Sequence, residues 1–216
     1  MIKNELTKRV FSSLILIPIV FYVIFKGSIL FNFFISICFA ISTYEWLQMS
    51  KKNAQKIFGL LFMLISFYSI FKIRNDFNQD YFYILLIAII CISTDIGGYI
   101  FGKLLKGPKL TKLSPNKTYA GFIGSFLLAI FITILFFELT LKIHNFRFTS
   151  EIFIFVLAVS LVSQIGDIII SYFKRLSKIK DTGNIIPGHG GILDRIDGMI
   201  FAYPFSYLIL LNWNFQ

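Results

Sequence analysis

The segment from Lys174 to Asp197 is the densest group of polar residues in the chain, and it combines Lys, Arg, Asp and His with four glycines. Glycines permit positive φ and a close approach of backbone N–H groups to phosphate oxygens, while Lys and Arg supply countercharge; the four are Gly183, Gly188, Gly190 and Gly191. Asp194 and Asp197 stand three residues apart, and such hard oxygen ligands suit Mg²⁺ with a polyphosphate. A flexible basic connection would explain the lysines but not these two carboxylates.

Two polar stripes lie inside otherwise apolar stretches. Their spacings of three and four residues place each set on one face of a helix; the sets are Ser163, Asp167, Ser171 and Lys174, and Asp95, Tyr99 and Lys103. A carboxylate within an apolar helix is costly unless it meets a cation or a metal ion. Asp95 and Asp167 are therefore candidate functional residues, and a structural ion pair with a nearby Lys is the alternative for either one.

A second basic connection runs from Lys103 to Lys117. It closes with residues suited to the start of a helix, namely Ser114, Pro115, Asn116, Lys117, Thr118 and Gly121. Such residues often serve only as caps. A helix N-terminus beside a lysine also attracts phosphate, so both a cap and an anion site are compatible with this pattern.

The elements that must position these residues are apolar helices, because 56% of the 216 residues are hydrophobic and only 15% are charged. About 20 apolar residues cross a bilayer as a helix. Seven segments approach that length: Val10–Phe25, Ser28–Trp46, Ile57–Phe71, Tyr81–Gly102, Thr118–Leu141, Ile152–Phe173 and Ile196–Trp213. The sequence predicts an all-α, polytopic transmembrane helical bundle of about seven spans.

Charge placement predicts the orientation of this bundle. With seven spans, sixteen of the 21 Lys and Arg residues fall on the side of the N-terminus, which predicts a cytoplasmic N-terminus. The net charge of +10 would suggest nucleic-acid binding in a soluble protein, but basic loops between apolar helices argue against such a partner.

The stretch Ser171–Asp197 reads SYFKRLSKIKDTGNIIPGHGGILDRID, and it resembles the signature segment of phosphatidate cytidylyltransferases. The resemblance extends upstream to Asp95, Tyr99, Gly166 and Asp167 and to the Ser114–Gly121 block, and within the first ninety residues mainly to Lys8, Arg9, Val10, Glu45 and Trp46. The chain departs from the family where Ile170 stands in place of a usual Glu, and where Tyr119 and Ala120 stand in place of Trp and Glu.

The resemblance implies that a phosphate oxygen of phosphatidate attacks the α-phosphorus of CTP, which yields CDP-diacylglycerol and pyrophosphate. It implies catalytic roles for Asp167, Lys174, Asp194 and Asp197, with Mg²⁺ on the three Asp residues, and it leaves open a second cation beside Mg²⁺. The expected substrate-binding residues are Asp95, Lys117, Ser171, Arg175, Lys180, Asp181, His189, Gly190, Gly191 and Arg195.

The resemblance also implies membrane lipids as partners and a bacterial inner membrane with the active site facing the cytoplasm, and it leaves homodimerisation open. Residues 1–90 are expected to anchor and pack, and residues 91–216 to form the catalytic domain. A transporter is the main alternative, because intramembrane carboxylates also mark ion pathways. A non-catalytic lipid- or nucleotide-binding membrane protein is a further alternative.

Overall fold

The structure is a computed structural model that describes residues 2–76, 81–110, 117–144 and 148–212, with the backbone alone at 2–6, 8–10, 13 and 141–144. The described residues form helices joined by short connections and one long loop, and their only strand-like pairings are two isolated bridges. In chain order the helices are α1 (Ile2–Lys26), α2 (Ser28–Met49), α3 (Asn53–Asp76), α4 (Phe82–Leu105), α5 (Tyr119–His144), α6 (Ser150–Leu176), α7 (Leu193–Ile196) and α8 (Met199–Asn212).

Five of these helices, α2 to α6, have the length and apolarity needed to cross a membrane, with apolar helical stretches of 22 to 27 residues. Two shorter apolar helical stretches, Leu14–Lys26 and Met199–Asn212, accompany them. The predicted all-helical, integral membrane architecture is confirmed. The count of seven spans and the orientation stay predictions, and the predicted end of the last segment at Trp213 lies outside the described residues.

One compact unit comprises Met1–Tyr81 together with Phe173–Asp197. It contains α1 to α3, the end of α6 and the segment Lys174–Asp197, which includes α7 and is hereafter the polar loop. The Trp46 indole organises its packing. Its Nε1 donates to the carbonyl of Gln55 at 3.0 Å, and its ring meets that of Phe173 edge-on with centroids 5.0 Å apart. Gly59 lies directly against the indole and leaves no space for a Cβ there. The start of the polar loop is thus attached to α2.

The other unit comprises Phe82–Tyr172 and Gly198–Gln216, in which α4 and α5 pack closely along a line of small residues. A Cβ at Gly97 would lie 2.7 Å from the carbonyl oxygen of Gly124, and one at Gly121 would lie 2.6 Å from that of Gly98. Small residues at such positions let helix backbones approach in a membrane. This close contact fixes the end of α4 that carries Lys103 against the start of α5, which follows Thr118.

The prediction that residues 1–90 anchor and pack while residues 91–216 form the catalytic domain is about function, and the two compact units do not test it. The backbone nevertheless places the polar loop in the same compact unit as the first three helices, although 100 or so residues separate them in sequence. Side-chain contacts from α1 and α2 to that loop are the physical reason, and they are described below.

Candidate active site

The polar loop begins where α6 ends in a Schellman motif. The N–H of Ile179 donates to the carbonyl of Lys174 and that of Lys178 donates to the carbonyl of Arg175, both at 3.0 Å. Lys178 takes the left-handed conformation, with φ of 59°, that glycine usually supplies at this position. Arg175, predicted to bind substrate, is exposed and donates from Nη1 to the carbonyl of Ile179 at 3.2 Å. The motif ends the helix and turns the chain into the loop.

A tight turn from Ile186 to Gly190 forms the outer part of the loop. His189 N donates to the carbonyl of Ile186 at 2.9 Å, with Pro187 second and Gly188 third at φ of 77°, which are the features of a type II turn. Gly190 also has positive φ, at 89°. The predicted need for positive φ is therefore confirmed at two of the four glycines.

The remaining two glycines, Gly183 and Gly191, are required for space instead. A Cβ at Gly183 would lie 2.7 Å from Oε1 of Glu45, and a Cβ at Gly191 would overlap the same carboxylate. Prediction by conformational freedom was wrong for these two positions, because their neighbour comes from α2 and no local pattern in the loop announces it.

Asp194 is the polar centre of the loop. Its Oδ2 accepts hydrogen bonds from the backbone N–H of Thr182 at 2.7 Å and of Gly191 at 3.0 Å, and its Oδ1 accepts one from Lys174 Nζ at 3.0 Å. The side chain of Asp194 is only 2% exposed and that of Lys174 only 10%. Burial alone would raise the pKa of Asp194, but the two N–H donors and the Lys174 charge outweigh it and hold the pKa below its ordinary value.

A second carboxylate meets the same lysine. Oδ2 of Asp197 lies 3.7 Å from Lys174 Nζ, so Asp194 and Asp197 converge on one position for a cation, as their spacing predicts. Asp197 ends α7 and stands two residues before α8 begins at Met199, so it lies at the start of the last apolar helix, whereas Asp194 lies one turn earlier, in α7.

These two carboxylates have the donor chemistry of a magnesium site. Mg²⁺ commonly takes one or two carboxylates from a protein and completes its shell with phosphate oxygens and water. Among the residues that the structure describes, no group of three or more Asp, Glu, His or Cys side chains could enclose a metal. The ammonium of Lys174 lies where the two carboxylates converge, so Asp194 and Asp197 would take Mg²⁺ only in exchange for Lys174, with a polyphosphate completing the shell.

A cavity of about 570 Å³ opens beside the turn, within the usual size range for small-molecule sites. Its lining includes five of the predicted substrate-binding residues, namely Lys180, Asp181, His189, Gly190 and Arg195. No ion pair joins Lys180 or Arg195 to a described carboxylate, in contrast to Lys174. The loop thus presents two cations to this cavity.

His189 is held from α1. Oγ of Ser12 lies 2.8 Å from His189 Nδ1 and donates to the carbonyl of Pro187 at 3.2 Å. A hydroxyl has one proton to donate, so with that proton on Pro187 it accepts from His189 Nδ1–H. Ser12 therefore fixes both the imidazole and the turn that carries it.

In the unit built on α4 and α5, Asp167 on α6 pairs with Lys117, and Ser171 Oγ donates to Asp167 Oδ1 at 3.3 Å. The Lys117 and Asp167 side chains are 27% and 25% exposed, so this pair is more open than the buried pair in the loop. Asp167 and Ser171 are thus neighbours on one helix face, as the predicted stripe requires. The ion pair of Asp167 with Lys117 is the alternative that the sequence left open for an intramembrane Asp, and a metal at Asp167 stays a prediction. Asp95 is exposed on α4.

The start of α5 shows the capping that its sequence permits. Thr118 Oγ1 accepts from the N–H of Gly121 at 3.1 Å, as an N-cap does. Ser114, Pro115 and Asn116 lie outside the described residues. Of the two departures from the family pattern, Ile170 is 1% exposed and packs in the apolar interior, so the missing Glu leaves no unpaired charge at that point.

Two residues that build the site, Glu45 and Ser12, are absent from the expected site residues, although the family resemblance includes Glu45. Glu45 lies within a predicted spanning segment, so the rule that singled out Asp95 and Asp167 would also have found it. Ser12 gives no such signal, because a hydroxyl in an apolar helix ordinarily bonds a carbonyl of its own helix.

Known proteins resemble this chain over nearly its whole length, including the residues of the polar loop. A model of the cytidylyltransferase family matches residues 7–72 and 55–213, which together cover nearly the whole chain. A phosphatidate cytidylyltransferase of Rickettsia bellii is 37% identical over 96% of this chain and 91% of its own length, and one of Rickettsia conorii is 34% identical over 96% and 92%. One of Bacillus subtilis is 36% identical over 69% of this chain and 55% of its own length. The resemblance predicted from the polar loop is confirmed, and the chain belongs to the cytidylyltransferase family.

Proposed function

We propose that this chain is a phosphatidate cytidylyltransferase that makes CDP-diacylglycerol and pyrophosphate from CTP and phosphatidate. The names of its relatives support this activity. The observation that carries it is the cavity beside the Ile186–Gly190 turn, where Lys180 and Arg195 have no carboxylate partner among the described residues. Two unneutralised cations beside a glycine turn are suited to a nucleotide triphosphate.

The reaction exchanges one phosphoanhydride bond for another. An oxygen of the phosphatidate phosphate forms a bond to the α-phosphorus of CTP, and the bond from that phosphorus to the oxygen bridging to the β-phosphorus breaks. Pyrophosphate leaves with the bonding electrons. Since the attacking phosphate is already ionised near neutral pH, no base is needed, and the protein contributes positioning and charge stabilisation.

The roles of the cavity residues follow from their charges. Lys180 and Arg195 bind the phosphates of CTP. The N–H groups of Gly190 and Gly191 already donate to the carbonyl of Ile186 and to Asp194, so these glycines contribute the shape of the loop and not free donors. His189, whose Nδ1 is held by Ser12, lines the same cavity, and its Nε2 donates to a phosphate oxygen when the ring is an imidazolium. In the other unit, Lys117 and Ser171 accompany Asp167, and Asp95 is a further proposed substrate-binding residue. Arg175, at the start of the polar loop, completes the proposed substrate-binding set.

Mg²⁺ is the proposed cofactor. Asp194 and Asp197 have the donor chemistry to hold it, and when bound it would neutralise charge on the phosphates that react. That Asp167 binds the same ion, and that a second cation joins it, stay predictions, because they link residues of the two compact units.

The membrane placement follows from charge and apolarity. Sixteen of the 21 Lys and Arg residues fall on one side of a seven-span arrangement, including those of the polar loop, which favours a cytoplasmic active site and N-terminus. A site at the membrane surface gives access both to a soluble nucleotide and to a lipid phosphate. We place the enzyme in a bacterial inner membrane, and whether it acts as a homodimer is left to experiment.

The test is an assay of the purified protein in detergent with CTP, phosphatidate and Mg²⁺. The release of pyrophosphate and the formation of CDP-diacylglycerol are both measured. Asp194→Asn and Asp167→Asn should each lower kcat by at least about 100-fold, because each removes a charge that acts on the phosphates. Asp76→Asn is the matched control, since Asp76 also pairs with a lysine, at 3.1 Å, but lies far from both sites in sequence. An inactive wild-type protein would refute the activity. Near-normal rates in both site variants would refute the metal assignment alone.

A further inference from the structure

Glu45 is a buried carboxylate of α2 that the reaction above does not use. It is 2% exposed. Its Oε1 accepts from the N–H of Ile192 at 3.0 Å, and its Oε2 accepts from the N–H of Leu193 at 2.8 Å and from Thr182 Oγ1 at 3.0 Å. Three donors, all from the polar loop, therefore converge on one side chain from a distant helix.

The residues next to the Glu45 carboxylate are small enough to let it reach the loop backbone. Gly183 and Gly191 flank it, and neither position has room for a side chain while Glu45 is in place. The two N–H groups belong to the residues that lead into α7, where backbone donors have no partner within the helix. Glu45 thus does for α7 what a capping side chain does, but from outside the segment.

Glu45 and Asp194 accept hydrogen bonds from the same two parts of the loop, Thr182 and the stretch Gly191–Leu193. Thr182 gives its N–H to Asp194 and its hydroxyl to Glu45, and the Gly191–Leu193 stretch gives one N–H to Asp194 and two to Glu45. The turn that carries His189 lies between those two places in sequence. Its shape therefore depends on both carboxylates.

We propose that Glu45 is a positioning residue that holds the loop from Thr182 to Leu193 in its substrate-binding conformation. It touches no reacting group, and it acts by keeping the cavity formed before CTP arrives. The kinetic part of this proposal rests on the proposed function, whereas the structural part does not.

A positioning role has a distinct kinetic signature. If a variant lowers the fraction of molecules whose loop is formed, the apparent affinity for CTP falls by that fraction, and saturating CTP restores the formed loop. KM for CTP should rise while kcat at saturation changes little. Loss of a group that contacts the reacting phosphates would instead lower kcat.

Glu45→Gln and Glu45→Ala are the test variants. The Gln side chain keeps one acceptor oxygen and places an NH₂ group against the remaining donors, so it should raise KM for CTP by about 10-fold, with kcat within about 3-fold of wild type. Glu45→Ala leaves all three donors without a partner and should raise KM further. Gln48→Ala is the matched control on α2, since Gln48 is exposed and bonds only Tyr44 in its own helix among its described contacts.

A second measurement needs no substrate. Amide hydrogen exchange of the 182–193 segment should quicken by about 10-fold in Glu45→Gln and more in Glu45→Ala, while exchange in α4 and α5 stays unchanged. Thr182→Val removes one donor and tests the same contact if the Glu45 variants fold poorly, with a smaller change in the same direction.

The two proposals fail separately. Unchanged loop exchange in all three variants, or a fall in kcat with KM unchanged, would overturn the positioning role. Faster loop exchange in the variants of a protein whose wild type makes no CDP-diacylglycerol would uphold the positioning role and overturn the proposed activity.

Discussion

Replacing Asp194 by Asn tests whether the buried charge at the centre of the polar loop holds that loop together. The Asn oxygen can still accept from Thr182 and Gly191, but its NH₂ group must then face Lys174 Nζ, which donates to Oδ1 at 3.0 Å. Lys174 loses its nearest acceptor and, among the carboxylates that the structure describes, keeps Asp197 at 3.7 Å. The substitution thus removes one charge-assisted hydrogen bond while nearly preserving side-chain shape.

The expected cost follows from burial. A hydrogen bond to a charged group contributes about 1.5–3 kcal/mol, and a pair of side chains 2% and 10% exposed is little screened by solvent. The two backbone bonds also weaken, because a neutral oxygen accepts less strongly than a carboxylate. A loss of about 2–2.7 kcal/mol in the free energy of loop opening corresponds to about a 30- to 100-fold increase in the opening equilibrium.

Amide hydrogen exchange of the detergent-purified protein, in a chelating buffer, measures this directly. Protection of the Thr182 and Gly191 amides should fall by about 30- to 100-fold in Asp194→Asn. Asp181→Asn makes the same change of charge in the same loop at an exposed position, so it should leave both amides as they are. Equal protection in wild type and Asp194→Asn would show that the carboxylate does not hold the loop, and the energetic reasoning would be wrong.

Three further predictions concern the same fold. The pKa of Asp194 lies below its ordinary value of 3.8, so its charge stabilises the closed loop above that pH. The hydrogen-exchange protection of the loop amides, corrected for their intrinsic exchange rates, should therefore be constant from neutral pH to about pH 5 and fall only below 3.8. A loss of protection between pH 7 and about 5 would contradict this. Lys178→Gly should stabilise the protein to detergent denaturation by about 0.5–1 kcal/mol, since φ there is 59°, whereas Lys178→Ala should not. Gly97→Leu should cost about 1–3 kcal/mol in the same assay, because a Cβ would lie 2.7 Å from the Gly124 oxygen; a neutral effect would mean that α4 and α5 pack otherwise.

The helices could be predicted well because their signal is local. Each predicted apolar segment overlaps a described helix, since a run of about 20 apolar residues has few alternatives in a membrane. The ends were less predictable. α3 runs from Asn53 to Asp76, well beyond the predicted Ile57–Phe71, because polar residues continue a helix once its interior turns are formed.

The partners of the polar residues were predictable only where they are close in sequence. Asp167 and Ser171 meet as residues four apart on one helix must, and Asp194 accepts from Gly191 three residues before it. Lys174 reaches Asp194 from 20 residues away, and Glu45 reaches Leu193 from 148 residues away. Spacing contains no information about such contacts, because they depend on how separate helices pack.

The resulting division of charge explains how one loop can be both rigid and ready for phosphate. Its buried carboxylates, Glu45 and Asp194, take the backbone N–H donors and the buried Lys174, so the charges that shape the loop are satisfied within it. Lys180 and Arg195 remain exposed at the cavity without a described carboxylate partner. The cavity also exposes the carboxylate of Asp181, so its lining carries one acid against two cations, and this excess of positive charge favours a polyphosphate. CTP therefore meets Lys180 and Arg195 without displacing an ion pair to a described carboxylate.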